Sequence, residues 1–128
     1  MGDSLTSIVR TTKEAVPRLP FSALKNKVLG KSYSLNIVFV SPARSRTLNR
    51  IYRGKNKPTN ILSFSLSKKE GELIICLSKI RKEQKLFKRP LSNLLAYLII
   101  HGLFHLKGQD HGSTMERNEQ RVRKLFKV

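Results

Sequence analysis

All three histidines of this chain lie within eleven residues, between positions 101 and 111. The stretch reads His101-Gly102-Leu103-Phe104-His105-Leu106-Lys107-Gly108-Gln109-Asp110-His111. Residues four apart on an α-helix lie on one face, in adjacent turns, so a helix points His101 and His105 in the same direction. Glycine adopts the left-handed conformation at a helix end at little cost, so Gly108 predicts the point where the chain turns back. The stretch therefore requires a helix, a break and a return that brings in His111.

Three imidazoles gathered in this way predict a metal site. They leave a fourth position open, as catalytic zinc sites do. An ordinary structural role is the more frequent explanation for one histidine on an apolar helix, but it does not explain three with the intervening glycine. The spacing H-x-x-x-H-x-x-G-x-x-H is that of the metzincin proteases, except that Gly102 replaces the glutamate that acts as their general base. Glycine cannot accept a proton, so peptidase chemistry by that route is disfavoured.

The charge of the chain indicates a polyanionic partner. Lysine and arginine together number 26 against 8 aspartate and glutamate, which gives a formal net charge of +18. Self-repulsion on this scale disfavours the compact state. Each phosphate that such a surface neutralises releases counterions, so nucleic acid is the favoured partner. The alternative is a basic surface that serves only solubility.

Length and apolar content limit the organisation of the chain. Its 128 residues predict a single domain over residues 1–128. The longest apolar run, residues 94–100, is far shorter than the roughly 18 residues of a membrane span, and the N-terminus lacks the apolar core of a signal peptide. We expect no membrane segment and a location in the cytoplasm, or in an organelle matrix if the source is eukaryotic. The lone cysteine, Cys76, excludes an internal disulfide.

Apolar periodicity predicts the secondary structure. Alternating or continuous apolar runs indicate strands at residues 5–10, 33–40, 61–66 and 72–77. Proline or a capping residue marks the start of each helix, and these signals are Pro20, Ser41-Pro42, Ser78, Pro90 and Ser113. In the helix that follows Ser41, we expect Leu48, Ile51 and Tyr52 to face inward. The predicted fold class is α+β, with a small mixed β-sheet of about four strands packed with helices. The metal site is expected on a central helix and the loop after it.

The histidine stretch closely resembles the signature H-G-x-L-H-L-x-G-Y-D-H of the YbeY family, metal-dependent endoribonucleases of ribosomal RNA maturation. Three other segments agree with the family in order and spacing, namely residues 48–55 (LNRIYRGK), 58–64 (PTNILSF) and 71–76 (GELIIC). The resemblance covers roughly residues 35–126. The chain departs from the usual pattern at Phe104 and Gln109, which should not affect metal ligation, and at Asn60 and Glu72, where many members have aspartate.

The resemblance implies a catalytic set of Arg53, His101, His105 and His111. It implies that the three histidines hold one zinc ion, with nickel as the alternative, and that Arg53 is the arginine of the active cleft. A planar guanidinium grips two phosphate oxygens at once, which suits that role. Without the resemblance, Arg53 would be interpreted as an ordinary solvated charge.

Further residues receive weaker assignments. Lys55, Lys57 and Arg50 are predicted to contact the RNA backbone. Asp110 either accepts a hydrogen bond from a ligand imidazole and fixes its tautomer, or caps the loop by bonding its own backbone, and both remain open. Cys76 lies in an apolar run, which favours a buried core position over a role as fourth metal ligand.

Together with the charge and the histidine stretch, the resemblance implies a zinc-dependent, single-strand-type endoribonuclease that acts in ribosomal RNA maturation and ribosome quality control. Its expected partners are ribosomal RNA and the small ribosomal subunit. The reaction proceeds either by attack of the RNA 2′-hydroxyl or by hydrolysis, and the sequence favours neither. An alternative from another class is a basic, non-catalytic ribosome-assembly factor that binds ribosomal RNA or ribosomal proteins. A metalloprotease is the less favoured third hypothesis.

Overall fold

The computed structural model describes residues 5–108 and 112–128. These residues form four strands, β1 (Thr6–Arg10), β2 (Ser34–Phe39), β3 (Ile61–Ser67) and β4 (Glu70–Ile75). They also form five helices, α1 (Phe21–Leu29), α2 (Pro42–Arg53), α3 (Leu77–Phe87), α4 (Leu91–Leu106) and α5 (Ser113–Leu125). Every predicted element is present. Two of the predicted capping residues do not cap their helices. Helix α3 begins at Leu77, and the hydroxyl of Ser78 donates to the carboxylate of Glu14. Helix α5 begins at Ser113 itself, after Gly112.

The four strands form one mixed sheet in the order β1-β2-β4-β3. β1 and β4 both pair with β2 in parallel, and β3 runs antiparallel to β4 at the edge of the sheet. The interior strands β2 and β4 bury Leu35, Ile37, Leu73 and Ile75 completely. Burial alternates along β2, as in a strand that is covered mainly on one face, whereas the last three residues of β4 are all buried. The predicted α+β class and mixed sheet are confirmed.

Helix α4 is the centre of the fold. It contacts α1, α3 and α5 as well as β3 and β4, and it is apolar on nearly all sides, as a helix surrounded by other elements must be. His101 and His105 are half-buried on this otherwise apolar helix, and so lie where it meets solvent. Among the described residues, no helix is long and apolar enough to cross a lipid bilayer.

Gly102 not only lacks the carboxylate that acts as general base in the metzincin proteases but also has a role in packing. A Cβ atom at this position would lie 3.0 Å from a methyl group of Leu73 and 3.1 Å from both Ile61 and Ser63. These distances are tighter than ordinary van der Waals contact, so glycine allows α4 to approach β3 and β4 closely. A side chain at this position would have to displace the side chains of Leu73, Ile61 and Ser63.

Helix α2 corrects one prediction. Ile51 and Tyr52 do not face inward, since they are 61% and 63% exposed. The buried residues of this helix are instead Ser45 and Asn49. Tyr52 lies on the same side of the helix as these two, but at its last turn, where its ring meets Phe64 edge-on at 4.9 Å. Polar residues are therefore the ones buried here, because they bond the segment that follows the helix.

Candidate active site

A cavity of about 340 Å³ lies between α4, β3 and the last turn of α2. Arg53, His101 and His105 all line it, although Arg53 lies far from the histidines in the sequence. The other lining residues are Thr59, Asn60, Ile61, Ser63, Phe87, Tyr97, Leu98 and Gly102. The fold therefore brings three of the four predicted catalytic residues to one cavity.

The two histidines of α4 form a close pair. Their Nε2 atoms lie 3.0 Å apart, and their rings meet at 88° with centroids separated by 4.6 Å. This proximity follows from their separation of four residues on the helix. Two imidazole nitrogens therefore converge on one point at the wall of the cavity.

The third predicted ligand cannot be placed in the same way. His111 and Asp110 lie outside the described residues, so their roles remain predictions. Over residues 5–108 and 112–128, no group of three or more His, Cys, Asp or Glu side chains is arranged to hold a metal. Gly108 has a φ angle of 91°, which confirms the left-handed turn predicted after the helix. Cys76 is buried, as expected, and is not among the residues that line the cavity.

The histidine pair fits the requirements of a metal. Two nitrogen ligands at 2.0–2.1 Å in a tetrahedral site lie about 3.3 Å from each other, close to the 3.0 Å between these Nε2 atoms. The Nδ1 atom of His101 is 2.9 Å from Oε1 of Glu119. A carboxylate accepts hydrogen bonds, so of the two tautomers of a neutral imidazole only the one with its proton on Nδ1 makes this bond, and that tautomer carries its lone pair on Nε2. Imidazole ligands suit both zinc and nickel.

Glu119 was not identified from the sequence. It lies on α5, is 6% exposed, and has Nη1 of Arg123 3.8 Å from the same oxygen that contacts His101. A signal for it existed, since Met115, Glu119 and Val122 form the buried stripe of α5 at helical spacing. An acidic residue on such a stripe needs a partner, because a buried charge without one is costly.

Two buried polar residues of α2 hold the segment after Arg53 in place. The hydroxyl of Ser45 donates to the carbonyl of Thr59 at 2.8 Å and accepts from its N–H at 2.9 Å. The side-chain amide of Asn49 donates to the carbonyl of Lys57 at 2.8 Å. Arg53 is followed by Gly54 in a left-handed conformation, with φ 69°, which ends the helix. Arg53 is thus positioned by a helix end whose following loop is tied back to the helix.

The predicted RNA-contacting residues separate into two groups. Lys55 and Lys57 line a hollow of about 260 Å³ that shares Arg53, Thr59 and Asn60 with the histidine cavity. Arg50 instead lines a different hollow, on the side of α2 that carries Ala43, Arg46 and Thr47. The structure therefore brings the two lysines to the site and leaves Arg50 apart from it.

A larger cavity of about 620 Å³ lies on the opposite face of the sheet, under α2. Its walls are mostly apolar, and Arg44 and Glu72 are its charged residues. None of the predicted catalytic or metal-binding residues in the described part of the chain lines it. Cavity volume alone therefore does not identify the site. The smaller cavity is identified as the site because His101, His105 and Arg53 all line it.

The family model described as "Endoribonuclease YbeY" matches residues 5–127 of this chain. A protein named Endoribonuclease YbeY from Paraburkholderia phymatum is 35% identical over 112 residues, which cover 84% of this chain and 73% of that protein. One of the same name from Buchnera aphidicola subsp. Schizaphis graminum is 35% identical over 118 residues, with 84% and 75% covered. Another from Mycoplasmopsis synoviae is 39% identical over 101 residues, with 71% and 65% covered.

The solution structure of a protein from Thermotoga maritima has the same fold. It superposes with a TM-score of 0.63 at 23% sequence identity, and the match covers 95% of this chain and 89% of that one. The overall fold of the described residues is therefore shared with an experimentally determined structure.

Proposed function

The chain belongs to the YbeY family of endoribonucleases, and on that premise we propose that it cleaves single-stranded ribosomal RNA at a zinc site beside Arg53. The observation that carries this proposal is the shared cavity of Arg53, His101 and His105, with the two Nε2 atoms 3.0 Å apart. Family membership supports RNA as the substrate. Maturation and quality control of ribosomal RNA, with the small ribosomal subunit as partner, are the finer parts of the proposal. A cytoplasmic or organellar location and a single domain over residues 1–128 are also part of the proposal.

His101, His105 and His111 would hold the metal, with nickel as the alternative to zinc. When bound, the metal supplies a Lewis acid that polarises a phosphoryl oxygen. Because imidazole ligands are neutral, they leave the positive charge of the ion available to attract phosphate. The left-handed turn at Gly108 supports the return of the chain toward the histidine pair.

Arg53 would bind the phosphodiester in the same cavity. Its guanidinium can donate two parallel hydrogen bonds to phosphate oxygens, and it stays charged at any physiological pH. Lys55 and Lys57, in the adjoining hollow, would hold the flanking phosphates of the RNA strand. These contacts position the backbone without reading its sequence.

Aromatic side chains in the cavity support a preference for unpaired RNA. Phe87 and Tyr97 line the cavity. Arg89 and Arg123 already lie over the ring of Tyr97, at 4.4 and 4.9 Å from its centroid, so Phe87 is the ring on which a base can stack. Unpaired bases stack on such rings, whereas the bases of a duplex are stacked on one another and are inaccessible. We therefore expect cleavage in loops or at single-stranded ends.

The decisive experiment compares four purified proteins for metal content and for cleavage of a ribosomal RNA fragment with a single-stranded end. They are the wild type, His105→Ala, Arg53→Ala and the matched control Arg50→Ala, which removes an arginine from the same helix outside the cavity. We expect His105→Ala to lose both metal and activity. Arg53→Ala should keep the metal and lose activity by about 10²–10³-fold, as when one group that stabilises transition-state charge is removed. Arg50→Ala should resemble the wild type.

Two outcomes would contradict the proposal in different ways. Undiminished cleavage in both His105→Ala and Arg53→Ala would identify a contaminating nuclease. Tight RNA binding without cleavage, with zinc or with nickel, would favour a non-catalytic ribosome-assembly factor, which the charge of +18 also fits.

A further inference from the structure

We propose that Glu119 is the positioning residue for the first metal-binding histidine, and that α5 is required for the site because it carries this carboxylate. The inference rests on the proposed function, since it concerns how His101 is prepared to bind metal. It assigns to Glu119 a role that the sequence suggested for Asp110.

The hydrogen bond between His101 and Glu119 is short, and the imidazole is its donor. The Nδ1–H of His101 donates to Oε1 of Glu119 over 2.9 Å. A carboxylate accepts hydrogen bonds, so of the two neutral tautomers of the imidazole only the one protonated on Nδ1 makes this bond. That tautomer carries its lone pair on Nε2, the atom that lies 3.0 Å from Nε2 of His105. The same bond also fixes the orientation of the ring.

Burial makes the carboxylate rigid. Glu119 is 6% exposed, which makes it the only buried acidic residue in the described segments. It lies on the buried stripe of α5 between Met115 and Val122, which pack into the core. Its backbone is therefore held by the packing of α5 against α4, the helix that carries His101.

Arg123 restrains the carboxylate from its own helix. Its Nη1 atom lies 3.8 Å from Oε1 of Glu119, and its guanidinium is 4.9 Å from the ring centroid of Tyr97. Tyr97 precedes His101 by one turn of α4. Tyr97, Arg123, Glu119 and His101 thus form a continuous chain that begins and ends on α4 and passes through α5. Because Oε1 is closer to His101 than to Arg123, the imidazole is the principal partner of Glu119 and the arginine supports it.

Loss of the Glu119 carboxylate should weaken metal affinity more than it changes the chemical step of cleavage. Without an acceptor at Nδ1, the ring of His101 can place its proton on Nε2 and can rotate away from His105. Metal binding must then displace that proton and restore the orientation. Removing a hydrogen-bond partner of a metal-binding histidine weakens metal affinity by about 10–100-fold in characterised sites.

The test uses Glu119→Ala, Glu119→Asp and the matched control Glu116→Ala. The aspartate variant keeps the charge near Arg123 but withdraws the carboxylate from Nδ1 by about one carbon–carbon bond. Glu116 is exposed, lies one turn earlier on α5, and lines the same 430 Å³ hollow as Glu119. The readouts are the ring-nitrogen chemical shifts of His101 in metal-free protein at about pH 8, where imidazole is neutral, and the zinc dissociation constant from competition with a chelator.

We expect the wild type and Glu116→Ala to show the proton of His101 on Nδ1 and the same zinc affinity. Glu119→Ala should populate the Nε2–H tautomer and bind zinc about 10–100-fold more weakly. Glu119→Asp should change the tautomer of His101 and the zinc affinity in the same direction, but less. This variant still allows the test if Glu119→Ala does not fold. The inference is overturned if either variant keeps the wild-type tautomer of His101 and binds zinc within twofold of the wild-type affinity.

Failure of the proposed function would look different. If the wild type binds no zinc, or if His105→Ala binds it equally well, the metal site itself is wrong. The tautomer of His101 would still report on Glu119 in that case, because it is measured in the metal-free protein.

Discussion

Replacing Ser45 by alanine should loosen the segment that follows Arg53, and the size of the effect follows from the structure. Ser45 is 2% exposed, and its hydroxyl makes two hydrogen bonds, one to the carbonyl and one to the N–H of Thr59. The substitution removes a single oxygen atom, so it leaves almost no cavity. It does leave both backbone groups of Thr59 without these partners in a partly buried position.

The two lost hydrogen bonds are worth about 0.5–1.5 kcal/mol each. Alanine regains about 0.5 kcal/mol because it favours a helix more than serine does. The free energy of unfolding should therefore fall by about 0.5–2.5 kcal/mol, with a central value of about 1.5 kcal/mol. Unfolding entropy is roughly 2.1 cal/mol/K per residue, so in a chain of 128 residues each kcal/mol lowers Tm by about 4 °C. We expect Tm to fall by about 2–10 °C, with a central value of about 6 °C.

The assay is urea and thermal denaturation of Ser45→Ala beside Thr47→Ala. The hydroxyl of Thr47 bonds only within its own helix, to the carbonyl of Ala43 at 3.1 Å, so its loss should change stability by less than about 0.5 kcal/mol. Thr59 lines the cavity with Arg53, so RNA cleavage by Ser45→Ala should also decline at temperatures where it remains folded. Equal stability of the two variants would refute the view that buried polar residues of α2 hold the loop.

Three further predictions test other parts of the molecule. Gly71→Ala would bring its Cβ into collision with the buried hydroxyl of Tyr33 and within 3.0 Å of Leu106, so it should cost about 1–3 kcal/mol. That cost should be smaller in a Tyr33→Phe background, and equal costs in the two backgrounds would contradict the contact. Burial raises the pKa of the Cys76 thiol, so less thiolate is present at a given pH. Alkylation of Cys76 at about pH 8 should therefore be about tenfold or more slower in the folded protein than in urea. Equal rates would contradict a buried thiol. RNA affinity should fall steeply as salt is raised from about 50 to 200 mM, and a flat response would contradict recognition through the +18 charge.

The local parts of this protein were predictable from the sequence because they depend on short-range geometry. The separation of four residues between His101 and His105 places their rings together on any helix, and the structure shows their Nε2 atoms 3.0 Å apart. The left-handed turn at Gly108 follows from the conformational freedom of glycine. The strands predicted at residues 33–40 and 61–66 follow from apolar alternation, which depends only on the pleat of a strand, and the one predicted at residues 72–77 follows from a nearly continuous apolar run. The resemblance to an endoribonuclease family also needed no more than ordered segments of sequence.

The tertiary structure decided which distant residues meet. Periodicity identifies the faces of a helix but not the element each face contacts, so Glu119 of α5 could not be paired with His101 of α4 in advance. The same limit explains why Tyr52 was expected to be buried and is 63% exposed, while Ser45 and Asn49 on the same side of α2 are buried. Those two polar residues are stable there only because the loop after the helix returns to bond them. The sequence by itself determined the histidine pair and the turn after it; the packing of α2 and α5 around α4 determined that Arg53 and Glu119 accompany them.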